Sequence, residues 1–289
     1  MKNLITFLLS CLSISALLAQ SRSETKLEIL GSGLSETTLR LDLSGIGQTT
    51  VSTPNGAAII PHIQHGTPLL IKGAPDLPKY ATALLIPHKG NMGVEVIAGD
   101  YEEISDVQVA PSKGNLLRTK NPTDVPFEYG AEYARDAFFP GNLAELKSPF
   151  IFRDTRGQAL WIFPVQYNPV KKTLRVYHSI TLRVYHKGGS GDNELSGGPL
   201  AGSQSRAFGQ LQQKFFANSA VRAESRGSGA TPDKMLVIAN DNLLDELQPL
   251  VTWKRQIGIH TTVVPVSEIG ASDADAVYAY VKNYYAEHG

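Results

Sequence analysis

The chain has one cysteine, Cys11, and it falls inside an N-terminal apolar stretch. The opening MKNLITFLLSCLSISALLAQSRS sets Lys2 before an apolar run from Leu4 to Ala19 and ends in small and polar residues, the pattern of a secretory signal peptide cleaved after Ala19 or Gln20. That run is shorter than the roughly 20 residues a membrane span needs, and Ser10, Ser13 and Ser15 dilute it. A lipoprotein reading of Leu8-Leu9-Ser10-Cys11 is disfavoured because the apolar run continues well past the cysteine. With the signal removed no thiol remains, which excludes structural disulfides, cysteine metal sites and a cysteine nucleophile within this chain.

An excess of charge is also missing. Lys+Arg and Asp+Glu are equal at 27 each, so no general field draws the protein to nucleic acid or to an anionic membrane. No other segment is apolar enough to span a bilayer. GxSxG, the Walker motif and a helix-opening GxGxxG are all absent. His62-x-x-His65 would place its rings on opposite faces of a strand, which argues against joint metal ligation. His178 and His186 read as partly buried, satisfied imidazoles on an apolar strand face, and Asp273-Ala274-Asp275 lacks the later positions of a calcium loop.

What is present divides at a change of composition. From Lys26 to about His186 the apolar residues alternate, as in Leu39-Arg40-Leu41-Asp42-Leu43, with Gly, Pro and Asn between the runs. This predicts an all-β domain over 21–187, a sandwich or irregular barrel, with helical period only in Glu128 to Phe138. In TLRVYHSITLRVYH, residues 173–186, the even offset between the two TLRVYH copies preserves the strand face. Leu174, Val176, Ile180, Leu182 and Val184 then point one way, and Arg175, Tyr177, Arg183 and Tyr185 the other. Ala159 to Phe163 reads as the preceding arm of a long hairpin, with Asn168-Pro169 as its turn.

Residues 188–232 read as a flexible linker, starting with KGGSGDNELSGGPLAGSQS. A short amphipathic helix is expected over Arg206 to Ala217, with Phe208, Leu211, Phe215 and Phe216 on one face. In AVRAESRGSGATPD, Arg222 and Arg226 are candidate processing sites, although an ordinary interdomain linker would have the same composition. Residues 233–289 then give a βαβα order. Met235 to Ala239 is a doubly buried strand, and Asn240, Asp241 or Asp245 caps a helix that is regular around and after Pro249. Gly258 stops that helix, His260 to Val266 is a second strand, and Ser272 opens a helix with Val277, Tyr278, Val281, Tyr284 and Tyr285 as its apolar stripe. Two strands and two helices do not complete a doubly wound sheet, so the chain reads as truncated.

Several phrases resemble, in order and spacing, the propeptide of the gingipain family of secreted caspase-like cysteine peptidases, followed by the start of the catalytic domain. They are Gly73-Ala74-Pro75-Asp76-Leu77-Pro78, Ala110-Pro111-Ser112-Lys113-Gly114, Phe138-Phe139-Pro140-Gly141, Pro149 to Gln158, Gln166 to Val170 and Lys172 to Arg175, with Trp253-Lys254 before Gly258. The resemblance implies a secreted or cell-surface zymogen, exported via the periplasm, whose β-rich prodomain inhibits its own peptidase domain and helps it fold. It implies a His/Cys pair acting on protein substrates through an acyl-enzyme and lying beyond this chain, so no residue here is assigned a catalytic role. It also implies calcium in the complete catalytic domain. Arg118 and Lys120, before Asn121-Pro122, are the candidate inhibitory residues because a following proline restricts the chain; solvated loop charges would look the same. A free-standing β-domain that binds proteins or inhibits proteases, or more weakly an adhesin, is the alternative.

Overall fold

The computed structural model describes residues 24–33, 35–153, 155–195, 206–220, 234–270 and 273–288. Two five-stranded sheets form the first part. In one, β1 (Thr25–Ser32) pairs with β2 (Glu36–Leu43), and β2 pairs with the long β12 (Thr173–Gly188). The other half of that β12 edge pairs with β11 (Val165–Asn168), while β7 (Asn91–Ile104) follows its opposite edge. In the second sheet β10 (Thr155–Ile162) pairs with β6 (Pro78–Leu85) on one side and with β8 (Ala144–Leu146) and β9 (Phe150–Phe152) on the other. The short β5 (Thr67–Pro68) adds to β6, and β3 (Gly47–Thr53) and β4 (Gly56–His62) form a separate hairpin.

Alternation decides which faces meet. Leu39 and Leu41 of β2 and Ile180, Leu182 and Val184 of β12 pack on Leu84 of β6 and on Leu160 and Ile162 of β10 in one dry cluster, so the fold is a sandwich. Each such side chain contributes roughly 1.5–3 kcal/mol of burial. A second cluster joins Leu43, Ile63, Leu77, Val109, Val165, Tyr167, Leu174 and Val176. On the outer face of β2, Arg40 bridges Glu28 and Asp42.

The five apolar positions expected on the inner face of β12 are all buried, but three neighbouring expectations are corrected. The register with β7 slips between Tyr177 and Ser179, which buries Tyr177 against Tyr101 and leaves His178 half exposed near Glu102. His186, at the strand end, is exposed, with Nε2 3.1 Å from the Lys89 carbonyl oxygen. Residues 159–163 do not pair with β12: the chain changes sheets at Phe163-Pro164, so the hairpin arm before Asn168 is β11. The helical period in 128–138 yields only a 3-10 turn, Ala131–Ala134, after Gly130.

Helix α1 (Arg206–Phe215) forms where a helix was expected, but its apolar stripe divides. Phe216 just after it is 1 % exposed, whereas Leu211 and Phe215 keep about half their surface.

In the last part β13 (Lys234–Ala239) and β14 (His260–Pro265) pair in parallel from Lys234↔His260 to Ala239↔Pro265. They are linked by a 3-10 turn, Asp241–Leu243, and α2 (Leu244–Gln256). Asn240 is the cap, accepting the Asn242 N–H, while Asp241 is held by Ser267. Helix α2 already runs from Leu244, five residues before Pro249, because the capped turn leads directly into it. Gly258, at φ +86°, ends it as expected. A short α3 (Val266–Ile269) precedes α4 (Ala274–His288). Ser272 lies outside the described residues; Asp273 Oδ1 accepts the Ala276 N–H. Met235 to Ile238 are half buried rather than buried on both faces, and Tyr278, Val281 and Tyr285 are exposed.

Candidate functional site

The segment Val107 to Ser112 runs between β4 and the turn at residues 73–76. The Ile59 N–H donates to Gln108 O at 2.7 Å, and Ala110 N–H to Ile59 O at 2.9 Å. On its other side the Asp76 N–H donates to Ala110 O, Ser112 N–H to Ala74 O and Gly73 N–H to Ser112 O, at 2.7–2.9 Å. Two of the phrases singled out in the sequence thus meet as partners. Gly73 is required there: its φ is +82°, and a Cβ would sit 3.2 Å from the Gly130 backbone. Val109 and Ala110 are fully buried, so the segment is anchored by the core itself.

Tyrosines brace this root. Tyr133 donates to Val109 O at 2.8 Å, Tyr167 to Val107 O at 2.9 Å, and the Tyr129 hydroxyl meets Thr53 Oγ1 at 2.7 Å. Burial pushes the Tyr133 hydroxyl far above its ordinary pKa, with Tyr129, Tyr167 and Asp76 adding to the shift. Burial likewise raises the Asp76 carboxyl, whose buried Oδ1 has no hydrogen-bond partner.

Beyond Ser112 the chain leaves the core as a loop with a closed neck. The Lys113 ammonium donates to Pro122 O at 2.7 Å and lies 4.2 Å over the Phe127 ring, fastening the two ends together. At the tip, Lys120 N–H donates to Leu117 O at 2.9 Å, and Asn121 caps the 3-10 turn Pro122–Asp124. Leu117 is 70 % exposed, and Arg118 and Lys120 are exposed beside it. Neither side chain hydrogen-bonds or ion-pairs with another described residue. The loop therefore presents two cations and one apolar side chain on a fixed stem. Lys113 was quoted in the sequence only as part of a family phrase and given no role of its own, although a lysine nine residues before a proline-led turn is a weak sign of closure.

Arg222 and Arg226 lie outside the described residues. His62 is exposed and His65 occupies a turn at φ +58°. Among the described residues no group of three or more His, Cys, Asp or Glu could hold a metal ion, and no helix is long and apolar enough to cross a membrane.

Residues 22–195 match the C25 propeptide family model, and residues 228–289 match the model for peptidase family C25. Gingipain R2 of Porphyromonas gingivalis is 35 % identical over 240 residues, covering 83 % of this chain and 32 % of that protein. Lys-gingipain of the same organism is 26 % identical over 222 residues, covering 74 % and 13 %. The chain thus spans about a third or less of these curated relatives. Among solved structures, the complex of P. gingivalis RgpB pro- and mature domains aligns with TM-score 0.63 and 35 % identity, over 67 % of this chain and 97 % of that one. A structure described as giving insight into the zymogenic latency of gingipain K shares the fold, with TM-score 0.50 and 24 % identity over 57 % and 94 %.

Proposed function

This chain belongs to the C25 peptidase family, as its gingipain-type propeptide followed by the start of the peptidase domain, and on that premise we propose that it is the inhibitory and folding-assisting N-terminal part of a secreted cysteine endopeptidase zymogen. Residues 1–20 direct export, 21–187 form the prodomain, 188–232 the connection, and 233–289 the first units of a caspase-like α/β domain. The His/Cys pair comes from the part of the relatives that this chain does not span, as does any calcium. The match of 228–289 to the peptidase model speaks against a free-standing β-domain.

The observation that carries the reading is the closed-neck loop at 113–122. A competitive inhibitor needs a side chain that fills the specificity pocket on a backbone that is not turned over. Arg118 or Lys120 supplies the cation. The Lys113–Pro122 clasp and the 117–120 turn keep the peptide from relaxing into the extended form that a protease cuts, and Pro122 removes a backbone N–H just after the loop. Replacing both Arg118 and Lys120 by Ala and titrating the chain against a mature family peptidase tests this. Inhibition should weaken about a hundredfold or more, as for a desolvated anchor; unchanged inhibition ends the idea.

Processing after Arg222 or Arg226 would separate prodomain from peptidase. N-terminal sequencing of the matured protein tests it, and a start well away from residues 223–235 would rule it out.

A further inference from the structure

Beside the stem of the 113–122 loop the chain leaves two large apolar side chains in water. Leu69 packs against the second core cluster and its N–H donates to Leu77 O at 3.0 Å, but Leu70 and Ile71 are 43 % and 49 % exposed. Simple alternation would return one of the two to the core. It does not, because Leu70 sits at φ +59°, a left-handed conformation that costs a leucine free energy. Of the six described non-glycine residues at positive φ, Leu70 is the only apolar one. On α1, by contrast, the half-exposed Phe215 stacks on Phe152, and the chain after it is fixed by Asn218, whose amide bonds both peptide groups of Leu85 and donates to Thr37 Oγ1 at 3.1 Å. Exposure there is what packing leaves over; at Leu70 the backbone is strained to keep it.

The exposed pair is fastened to the loop. Lys72, the next residue, lies against Gly114, where a Cβ would come within 2.9 Å of the Lys72 Cβ, and Gly114 is itself left-handed at φ +77°. Ala74 N–H closes the turn on Ile71 O at 3.1 Å, Gly73 N–H bonds Ser112 O, and Lys72 pairs with Glu128 at 2.9 Å. Leu70 and Ile71 thus share one rigid frame with the loop that carries Arg118 and Lys120.

We propose that Leu70 and Ile71 are a second anchor of the inhibitor, docking on an apolar surface of the peptidase beside the pocket that takes Arg118 or Lys120. This rests on the zymogen reading. A cation in the pocket is a contact that any basic substrate shares. A fixed apolar contact outside the pocket belongs to the inhibitor alone and slows its release. The exposure of the pair, unfavourable in the free prodomain, becomes a gain when binding removes it from water.

Titrating Leu70→Asn and Ile71→Asn, each in the full chain, against the mature family peptidase used for Arg118 and Lys120 tests the proposal, with urea midpoints measured alongside. Asparagine suits a left-handed site, so Leu70→Asn should keep or raise the midpoint. It should nevertheless inhibit about tenfold less or worse, through faster release. Ile71→Asn should weaken inhibition by a similar factor, and Leu30→Asn, at a similarly exposed apolar residue of β1, should leave it unchanged. Inhibition by both variants within about twofold of wild type, an equal loss at Leu30→Asn, or a midpoint that falls at Leu70→Asn overturns the proposal. If replacing Arg118 and Lys120 weakens inhibition while Leu70→Asn and Ile71→Asn do not, the second anchor alone falls; if the wild-type chain does not inhibit, both readings fall.

Discussion

Replacing Arg156 with methionine should destabilise the prodomain more than any surface change. Arg156 has no exposed surface. Its guanidinium donates from Nη1 to Gly90 O at 2.7 Å and Pro87 O at 3.1 Å, and from Nη2 to Asp192 O at 2.6 Å. Glu194 faces the same knot, accepting the N–H groups of Gly90 and Gly191, both at 2.8 Å, which lowers its carboxyl pKa. One arginine of β10 thus holds the turn before β7 and the chain after β12. Methionine keeps a long flexible side chain but donates nothing, so three carbonyl oxygens lose a charged donor. At about 1–1.5 kcal/mol each, the loss is about 3–4.5 kcal/mol. With a urea slope of about 2 kcal/mol per molar, the midpoint should fall by about 1.5–2.3 M. Lysine, with one compact donor group, should fall between. Urea titration of the full chain, followed by circular dichroism, measures both. A methionine midpoint within about 0.3 M of wild type would show that the knot holds nothing together.

Three further outcomes follow from the same geometry. Because burial raises the Asp76 carboxyl, the folded state binds its proton more tightly; stability is full below the ordinary 3.8 and falls as pH rises through the raised value. Asp76→Asn should therefore gain stability over wild type at pH 7 and lose that advantage in acid, and an equal difference at both pH values would refute the charge argument. Burial raises the hydroxyls of Tyr80, Tyr133 and Tyr167 above 10.0, so their contribution is complete below that pH and is lost above it, visible as a melting temperature that drops with the onset of tyrosinate absorbance. Gly157→Ala drives a methyl into the Phe216 and Phe150 rings and should cost about 1–3 kcal/mol, read as a fall of about 3–10 °C in melting temperature.

The local parts of this architecture were legible because they rest on periodicity. The inner face of β12, the turn at Asn168-Pro169 and the parallel β13–β14 pair all follow from alternation, turn residues or apolar runs. What stayed hidden is non-local. That residues 159–163 face β6 rather than β12 depends on a change of sheet at Phe163-Pro164, which carries no periodic signal. The exchange of Tyr177 and His178 comes from a slip in the ladder, and the burial of Arg156 depends on carbonyls of residues 87, 90 and 192, far from it in the chain. Around the candidate loop, Arg118 and Lys120 could be named from the proline that follows them, but the Lys113 clasp needed the folded neck.

The Asn218–Thr37 bond joins positions 181 residues apart in the chain. Such a closure gives the domain a schedule. Strand β2 emerges early in synthesis, yet the sandwich edge it helps to secure stays open until residue 218 has been made. Because 218 comes before β13, the sandwich can be sealed before the parallel β13–β14 pair has been made. The order of residues along the chain thus works as a timer, finishing one domain before the next begins.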